Sequence, residues 1–510
     1  MRTYRSAALL AASILLLTGA AIAAPSAYAG PSAPGAVQAK DRNTDFNGDG
    51  YEDVLIGAPG ATIDSKPGAG FVTVQYGSRS GLGTSPSAVF SQNTAGVRGA
   101  AEAGDAFGQS VATGDLNGDG YDDAIIGVPG EDIEPLADAG GAVVLWGSPQ
   151  GLTGTDSDWL QAGEPTAWAR FGSALAAAHF SPDIPGDELA VTDLFDLMLF
   201  RYEPALLKKD ADAAPLAPAQ RENVIPAEPG HEIDPKSLTT GDYDGNGLAD
   251  LVVSGTAAGP NHGEGWSAYF SGQVQGLRFE RSLRGGPAVA SGDINNDGYD
   301  DLVTGTPRRP DATSGGSLDG GVVGVYYGSA GDGPVVGAAG PGTEPVWWTQ
   351  DSPGVPGVSE EGDRWGSDLS VADTDGDGYA DVAIGAPLED VGAPGSDLSR
   401  GDTGAVWVLR GAAGGLTAAG ARSWDQDSAD VPGVPESNDQ WGGQVRLIDP
   451  DGDGRYGLLA AAPGEDVSNG VVWVLPAGQG GVTATGSWTF DGGSLGAPRT
   501  KAHFGGAIDE

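Results

Sequence analysis

The 510-residue chain has no cysteine, only two methionines and only four histidines. Without cysteine there is no disulfide framework, no cysteine-ligated zinc and no thiol catalysis. The histidines, His179, His231, His262 and His503, are scattered and show no metal spacing. Basic residues are also scarce. The 26 Lys and Arg face 70 Asp and Glu, for a formal net charge of −44. Binding to phosphate backbones needs a basic surface, so nucleic acid is not an expected partner, and anionic membrane surfaces are disfavoured for the same reason. No run reaches the 18 apolar residues that a spanning helix needs. No nucleophile elbow, H-E-x-x-H or phosphate loop is read from the chain.

What is present begins with an export pattern. Arg2 and Arg5 precede an apolar stretch from Ala7 to Leu17, and Ala27-Tyr28-Ala29 has the small-x-small form cut by signal peptidase. Residues 1–29 are therefore expected to be a signal peptide cleaved after Ala29, leaving residues 30–510 secreted, extracellular and monomeric. The 87 glycines and 35 prolines call for many tight turns.

The acids are grouped rather than spread. Asp45-Phe-Asn-Gly-Asp-Gly-Tyr-Glu-Asp53 runs into Val-Leu-Ile-Gly-Ala-Pro59, and Asp115 to Asp123 runs into Ala-Ile-Ile-Gly-Val-Pro129. Further copies start at Asp242, Asp293, Asp373 and Asp449, and a decayed one near Phe180 keeps only Gly186-Asp187-Glu188-Leu189-Ala190-Val191. Most units open on an aromatic-glycine pair such as Phe107-Gly108, Phe171-Gly172, Trp365-Gly366 or Trp441-Gly442. Four short strands per unit, separated by turn residues, describe a propeller blade. Seven units predict an all-β, seven-bladed propeller of four-stranded antiparallel blades. His503-Phe504-Gly505-Gly506-Ala507-Ile508 is an opening strand without a loop, and the first loop lacks an opening strand. The N- and C-terminal segments are therefore expected to pair within one blade, which satisfies the last sheet edge.

Each acidic loop offers oxygens at positions 1, 3, 5, 7 (a carbonyl) and 9, with glycine at position 6 for the bend, a pattern suited to Ca²⁺. The expected ligands are Asp45, Asn47, Asp49, Tyr51 and Asp53; Asp115, Asn117, Asp119, Tyr121 and Asp123; and Asp242, Asp244, Asn246, Leu248 and Asp250. Two more sets are Asp293, Asn295, Asp297, Tyr299 and Asp301, and Asp373, Asp375, Asp377, Tyr379 and Asp381. A sixth, Asp449, Asp451 and Asp453, has Gly457 at position 9 and should bind weakly or not at all. An EF-hand would need a bidentate Glu at position 12 and flanking helices, whereas position 12 of the second loop is Ile126. The expectation is about five structural calcium ions, with none in the decayed unit.

These units resemble FG-GAP repeats, the blades of the integrin α-chain propeller. The resemblance rests on Phe107-Gly108, the Asp115–Asp123 loop and Gly127-Val128-Pro129 with their parallels. It implies a non-enzymatic binding or adhesion module for an extracellular protein or glycan. A carbohydrate-active propeller, as a lectin or a calcium-dependent polysaccharide lyase or hydrolase, is the alternative. Variable segments at 131–140, 350–364, 389–403 and 426–440 should share the face opposite the acidic loops, where binding would sit. They bring Glu131-Asp132, Glu389-Asp390 and, nearby, Glu465-Asp466, read as solvated acids, and Trp347, Trp348 and Trp424, read as packing between blades. Arg400-Gly401-Asp402 spells an integrin-recognised tripeptide, which so much Gly and Asp also produces by composition alone. Residues 203–236 read as an inserted loop.

Overall fold

A computed structural model describes residues 44–194, 196–204, 206, 215–222, 232–257, 265–307, 309–310, 317–318, 320–335, 344–392 and 401–509. The expected signal peptide, Arg400 and much of the 203–236 insertion lie outside these residues.

The described residues form seven four-stranded antiparallel sheets, the blades of a propeller. Blade 2 shows the plan: Val111–Gly114, Asp123–Val128, Gly141–Leu145 and Ser157–Leu160 in consecutive order. Blade 3 runs from Ala174 to Glu222, blade 4 from Ile233 to Arg284 and blade 5 from Ala288 to Trp348. Blade 6 spans Asp368 to Asp425 and blade 7 Gln444 to Phe490. The second and third strands of a blade are covered on both faces, so they carry unbroken apolar runs. Every residue of Val54–Ala58, Gly141–Leu145 and Asp381–Ala386 is buried.

Two glycines of the repeat have one cause. A β-carbon on Gly127 would lie 2.2 Å from the carbonyl oxygen of Gly172, the glycine after the aromatic that opens the next blade. On Gly385 it would lie 2.1 Å from that of Gly442. Backbone meets backbone there, leaving no room for a side chain. The aromatic beside that second glycine then plugs the junction: Phe107, Phe171, Trp365 and Trp441 are all fully buried. The Phe107 N–H donates to the Ala69 carbonyl at 3.0 Å, and Trp441 to that of Thr403 at 2.8 Å.

Blade 1 draws on both ends of the described chain. Ala507–Ile508 pairs with Val54–Ala58 (Ile56 opposite Ile508), followed by Phe71–Gln75 and Ser87–Phe90. Phe504 donates to the Asn469 carbonyl at 3.0 Å and shares a core with Ile56, Phe71, Leu459 and Val472 of blades 1 and 7. Buried Arg446 of blade 7 pairs with Glu52 at 2.6 Å and Asp509 at 2.7 Å.

Candidate metal centres and the opposite loop face

Each acidic loop leads into the second strand of its blade and closes on its own aspartates. Asp45 at position 1 accepts the N–H groups of Gly48, Asp49 and Gly50 at 2.7, 3.2 and 2.8 Å. Asn47 accepts from Asp49, and Asp49 from Tyr51. The loop at Asp115 repeats this pattern, with Asp115 accepting from Gly118, Asp119 and Gly120. Side-chain oxygens thus turn inward at positions 1, 3 and 5. Carboxylate oxygens converge within 4.8 Å in three sets: Asp242, Asp244 and Asp250; Asp373, Asp375 and Asp377; and Asp449, Asp451 and Asp453. The third is the loop lacking an acid at position 9. Tyr51, Tyr121, Leu248, Tyr299 and Tyr379, whose carbonyls are the expected ligands at position 7, lie within the same loops.

Position 9 does more than face the loop. Asp53 accepts from Phe46 at position 2 (3.0 Å) and from Gly77 after the third strand (2.9 Å). Asp123 does the same with Leu116 and Gly147, Asp250 with Tyr243 and Gly272, and Asp301 with Ile294 and Gly328. Each aspartate pins its loop to the adjacent hairpin. Burial pushes Asp53, Asp250 and Asp301 up to about 8, with nearby loop carboxylates adding to the shift. It lifts Asp123 well above the ordinary carboxylate range.

Two blades place a cation opposite this acid, which the sequence reading missed. Arg410 stands on the third strand of blade 6, beside Leu409, whose cross-strand partner is Val382. Its guanidinium lies 2.6 Å from Asp381 and 3.1 Å from Asp375, and it donates to Thr374 Oγ1 at 2.8 Å. Asp375 Oδ1 is nevertheless buried without a hydrogen-bond partner. In blade 3, Arg201 holds the equivalent place and reaches Glu188, the decayed loop's counterpart of position 9, at 3.0 Å. His179, Phe180 and Ser181 open that loop, which is one residue longer than the others, and Ser181 donates to Glu188.

The loops also touch their neighbours. Asp122, at position 8 of blade 2, accepts the Asp45 N–H at 2.7 Å, and Asp300 accepts that of Asp242 at 2.8 Å. Glu52 of blade 1 accepts the Asp449 N–H of blade 7 at 2.7 Å.

On the other face, the acids read as solvated divide. Asp132, Asp390 and Asp466 are exposed, but Glu131, Glu389 and Glu465 are only partly so and accept from Gln92, Gln350 and Gln426 at 2.8, 2.9 and 2.8 Å. Burial lifts all three glutamates to about 7. Trp348 and Trp424 pack on blade cores, as expected, while Trp347 hydrogen-bonds Glu344. Gly492-Gly493-Ser494-Leu495-Gly496 does spell G-x-S-x-G, contrary to the sequence reading. Ser494 sits in a 3₁₀ turn with its hydroxyl donating to the Asp491 carbonyl, not at a strand-to-helix elbow. His179 Nδ1 lies 3.2 Å from the Gly186 carbonyl, and His231 and His262 lie outside the described residues. Among the described residues no helix is long and apolar enough to cross a membrane.

The FG-GAP repeat family model matches residues 43–74, 107–146, 285–336 and 365–409, each taking in an acidic loop and the third strand of its blade. The chain carries FG-GAP repeats in four places within its β-propeller. Curated proteins similar to this propeller include phosphatidylinositol-glycan-specific phospholipase D of Bos taurus, 30% identical over 145 residues, 28% of this chain and 17% of that protein. Integrin alpha-4 of Xenopus laevis is 31% identical over 175 residues, 30% of this chain and 14% of that one. Integrin alpha pat-2 of Caenorhabditis elegans is 28% identical over 208 residues, 36% and 14%. The chain thus spans less than a fifth of the length of these relatives. Among solved structures, a rhamnogalacturonan lyase of Bacillus licheniformis aligns over 68% of this chain and 67% of its own, at 11% identity and a TM-score of 0.30.

Proposed function

We propose that this FG-GAP propeller is a secreted, calcium-loaded, non-enzymatic module that binds an extracellular protein or glycan through the face opposite its acidic loops. The observation that carries the binding role is a group of apolar side chains left in solvent on that face, against a single comparable one, Val274, beside the Asp242 loop. Trp168, Val358, Val434 and Val467 are 63%, 65%, 63% and 81% exposed. All four lie in connections between blades or between second and third strands, at the end of the blades away from the acidic loops. Val467 is held there at φ 63°, a left-handed conformation that a β-branched residue rarely adopts. Exposed apolar groups on loops of a rigid frame are the usual material of a recognition surface.

The donor set of the acidic loops fits calcium. It is all oxygen, three loops bring carboxylates together, and Asp375 keeps a buried oxygen without a donor. A bound ion would supply the positive charge that lets the buried position 9 carboxylates ionise, and binding would add to folding free energy by linkage. Extracellular modules hold calcium with Kd on the order of 10⁻⁴–10⁻³ M. The test is a glycan array and a panel of purified extracellular proteins, each with and without EDTA, followed by reducing-end assays on glycan hits. Retention without turnover supports the module, and turnover of a retained sugar would overturn it.

One feature favours the carbohydrate-active alternative. A cleft of about 660 Å³ beside the Asp242 loop is lined by Asp244, Asn246, Tyr269, Arg278 and Arg281. It sets guanidinium groups beside a proposed ion, as lyase action on an acidic sugar would need. Arg281→Ala should abolish turnover of such a sugar if this cleft is the site.

A further inference from the structure

The Gln–Glu contacts on the loop face belong to a larger repeated constellation, independent of the acidic loops. Gln92 follows the last strand of blade 1, Asp105 precedes Phe107 of blade 2, and Glu131 follows the second strand of blade 2. Gln350, Asp363 and Glu389 repeat this between blades 5 and 6, and Gln426, Asp439 and Glu465 between blades 6 and 7. The spacing from glutamine to glutamate is 39 residues in all three. Each glutamine is at least 97% buried, and its amide points at the glutamate through Nε2. In every copy its carbonyl oxygen Oε1 is buried with no hydrogen-bond donor.

A buried amide oxygen left unpaired costs about 1–3 kcal/mol, so the same vacancy three times over calls for a partner. The surroundings specify its charge. The aspartates are buried, each accepting the N–H three residues earlier, from Glu102, Glu360 or Glu436. Among the described residues, none of the six Asp and Glu carboxylates of the trios forms an ion pair. Lys66 eases the charge on Asp105 from a distance but pairs with none of the three carboxylate-bearing junctions, and oxygen donors gathered without a directly paired cation suit a hard divalent ion.

The trio also disappears as a unit. Between blades 7 and 1, Ala502 takes the place of Asp105 (Gly60 donates to its carbonyl as Gly130 does to Asp105) and Ala61 that of Glu131. Gly492 stands for Gln92 there, after Asp491, whose N–H meets Ser494 as that of Ser91 meets Thr94. Between blades 2 and 3, Ala162 and Ala169 replace the glutamine and the aspartate. Residues serving separate ends need not be lost together.

We infer that each of the three polar junctions binds one divalent cation of calcium's size, through the glutamine carbonyl and the glutamate and aspartate carboxylates. These sites form a second set, roughly 20 Å from the acidic loops across a six-residue strand rising about 3.3 Å per residue. Each joins the loops of two blades, with exposed Val358 in the loop of the second site and Val434 and Val467 in those of the third.

The full chain and E131Q/E389Q/E465Q, which keeps shape and hydrogen-bonding capacity, would be equilibrated with saturating calcium and their bound metal counted. The triple variant should hold about three fewer ions per chain, and E389Q alone one fewer. Trp407 lies beside Gly357, next to Gln350, so tryptophan-sensitised terbium emission provides a local readout that E389Q should diminish. Circular dichroism establishes that the variants fold; if the triple variant does not, E389Q alone decides. Equal calcium counts with unchanged terbium emission would overturn the inference. So would equal counts with a pH-dependent melting temperature lost in the variant, since the junctions would then hold protons.

Discussion

Arg410 shows how one residue alters a repeated loop. Blades 1, 2 and 5 carry Tyr76, Trp146 and Tyr327 at the corresponding point, just before the glycine that donates to the position 9 aspartate. In blade 6 a guanidinium meets the buried Asp381 directly, so Arg410→Ala leaves that carboxylate uncompensated. The expected loss is about 3 kcal/mol in urea unfolding. Millimolar calcium should restore more stability to this variant than it adds to the parent; an indifferent response would show that Arg410 and the ion do not compete. Asp368 offers a pH test away from the loops. The residue keeps some accessible surface, but its carboxyl is enclosed where it accepts the Val445 N–H at 2.6 Å, and burial pushes it up to about 7. The folded chain therefore holds a proton that the unfolded chain has released. Its contribution to stability is present at low pH and is lost as pH rises from about 4 to about 7. Asp368→Asn should remove this part of the pH dependence and melt higher than the parent above neutrality, as read by thermal denaturation from pH 5 to 8.

Among elements, the junction between blades is the unit that matters. Gly385→Ala would drive a β-carbon into the Gly442 carbonyl, and neither backbone can yield without parting blades 6 and 7. A destabilisation of about 3 kcal/mol or more is expected, against less than about 1 kcal/mol for Gly414→Ala, whose added carbon meets nothing. Equal melting temperatures for the two variants would dismiss the close-approach argument. The blades were legible because one phrase, loop then Gly-x-Pro, states local turn and strand chemistry within about fifteen residues. Glu188 and Arg201 were not, since they meet only across a strand pair that the decayed loop disguises. The Gln92, Asp105 and Glu131 set escaped because its members belong to two blades. The constant interval of 39 residues was there to be read, but only after blade boundaries were known.

At the scale of the whole molecule, stability is expected to rest on the proposed calcium ions and on the seam between blades 7 and 1. Chelation should lower the melting temperature by several degrees, and metal analysis should detect calcium before stripping. A chain ending at residue 502 would lose Phe504, the strand Ala507–Ile508 and one of the two carboxylates facing Arg446. It should elute as aggregate or expanded species in size-exclusion chromatography, where a compact monomer would refute the seam's importance.

That Ile56 is matched to Ile508 also bears on the order of assembly. The earliest described strand must wait for residues some 450 positions later to emerge before its sheet is whole, so a partly made chain carries an unfinished edge until they do. Contacts of such long separation slow folding, and the waiting edge invites pairing with another chain. Residues 504–508 act as a completion signal: until they are in place, the blade that begins at Val54 lacks its fourth strand.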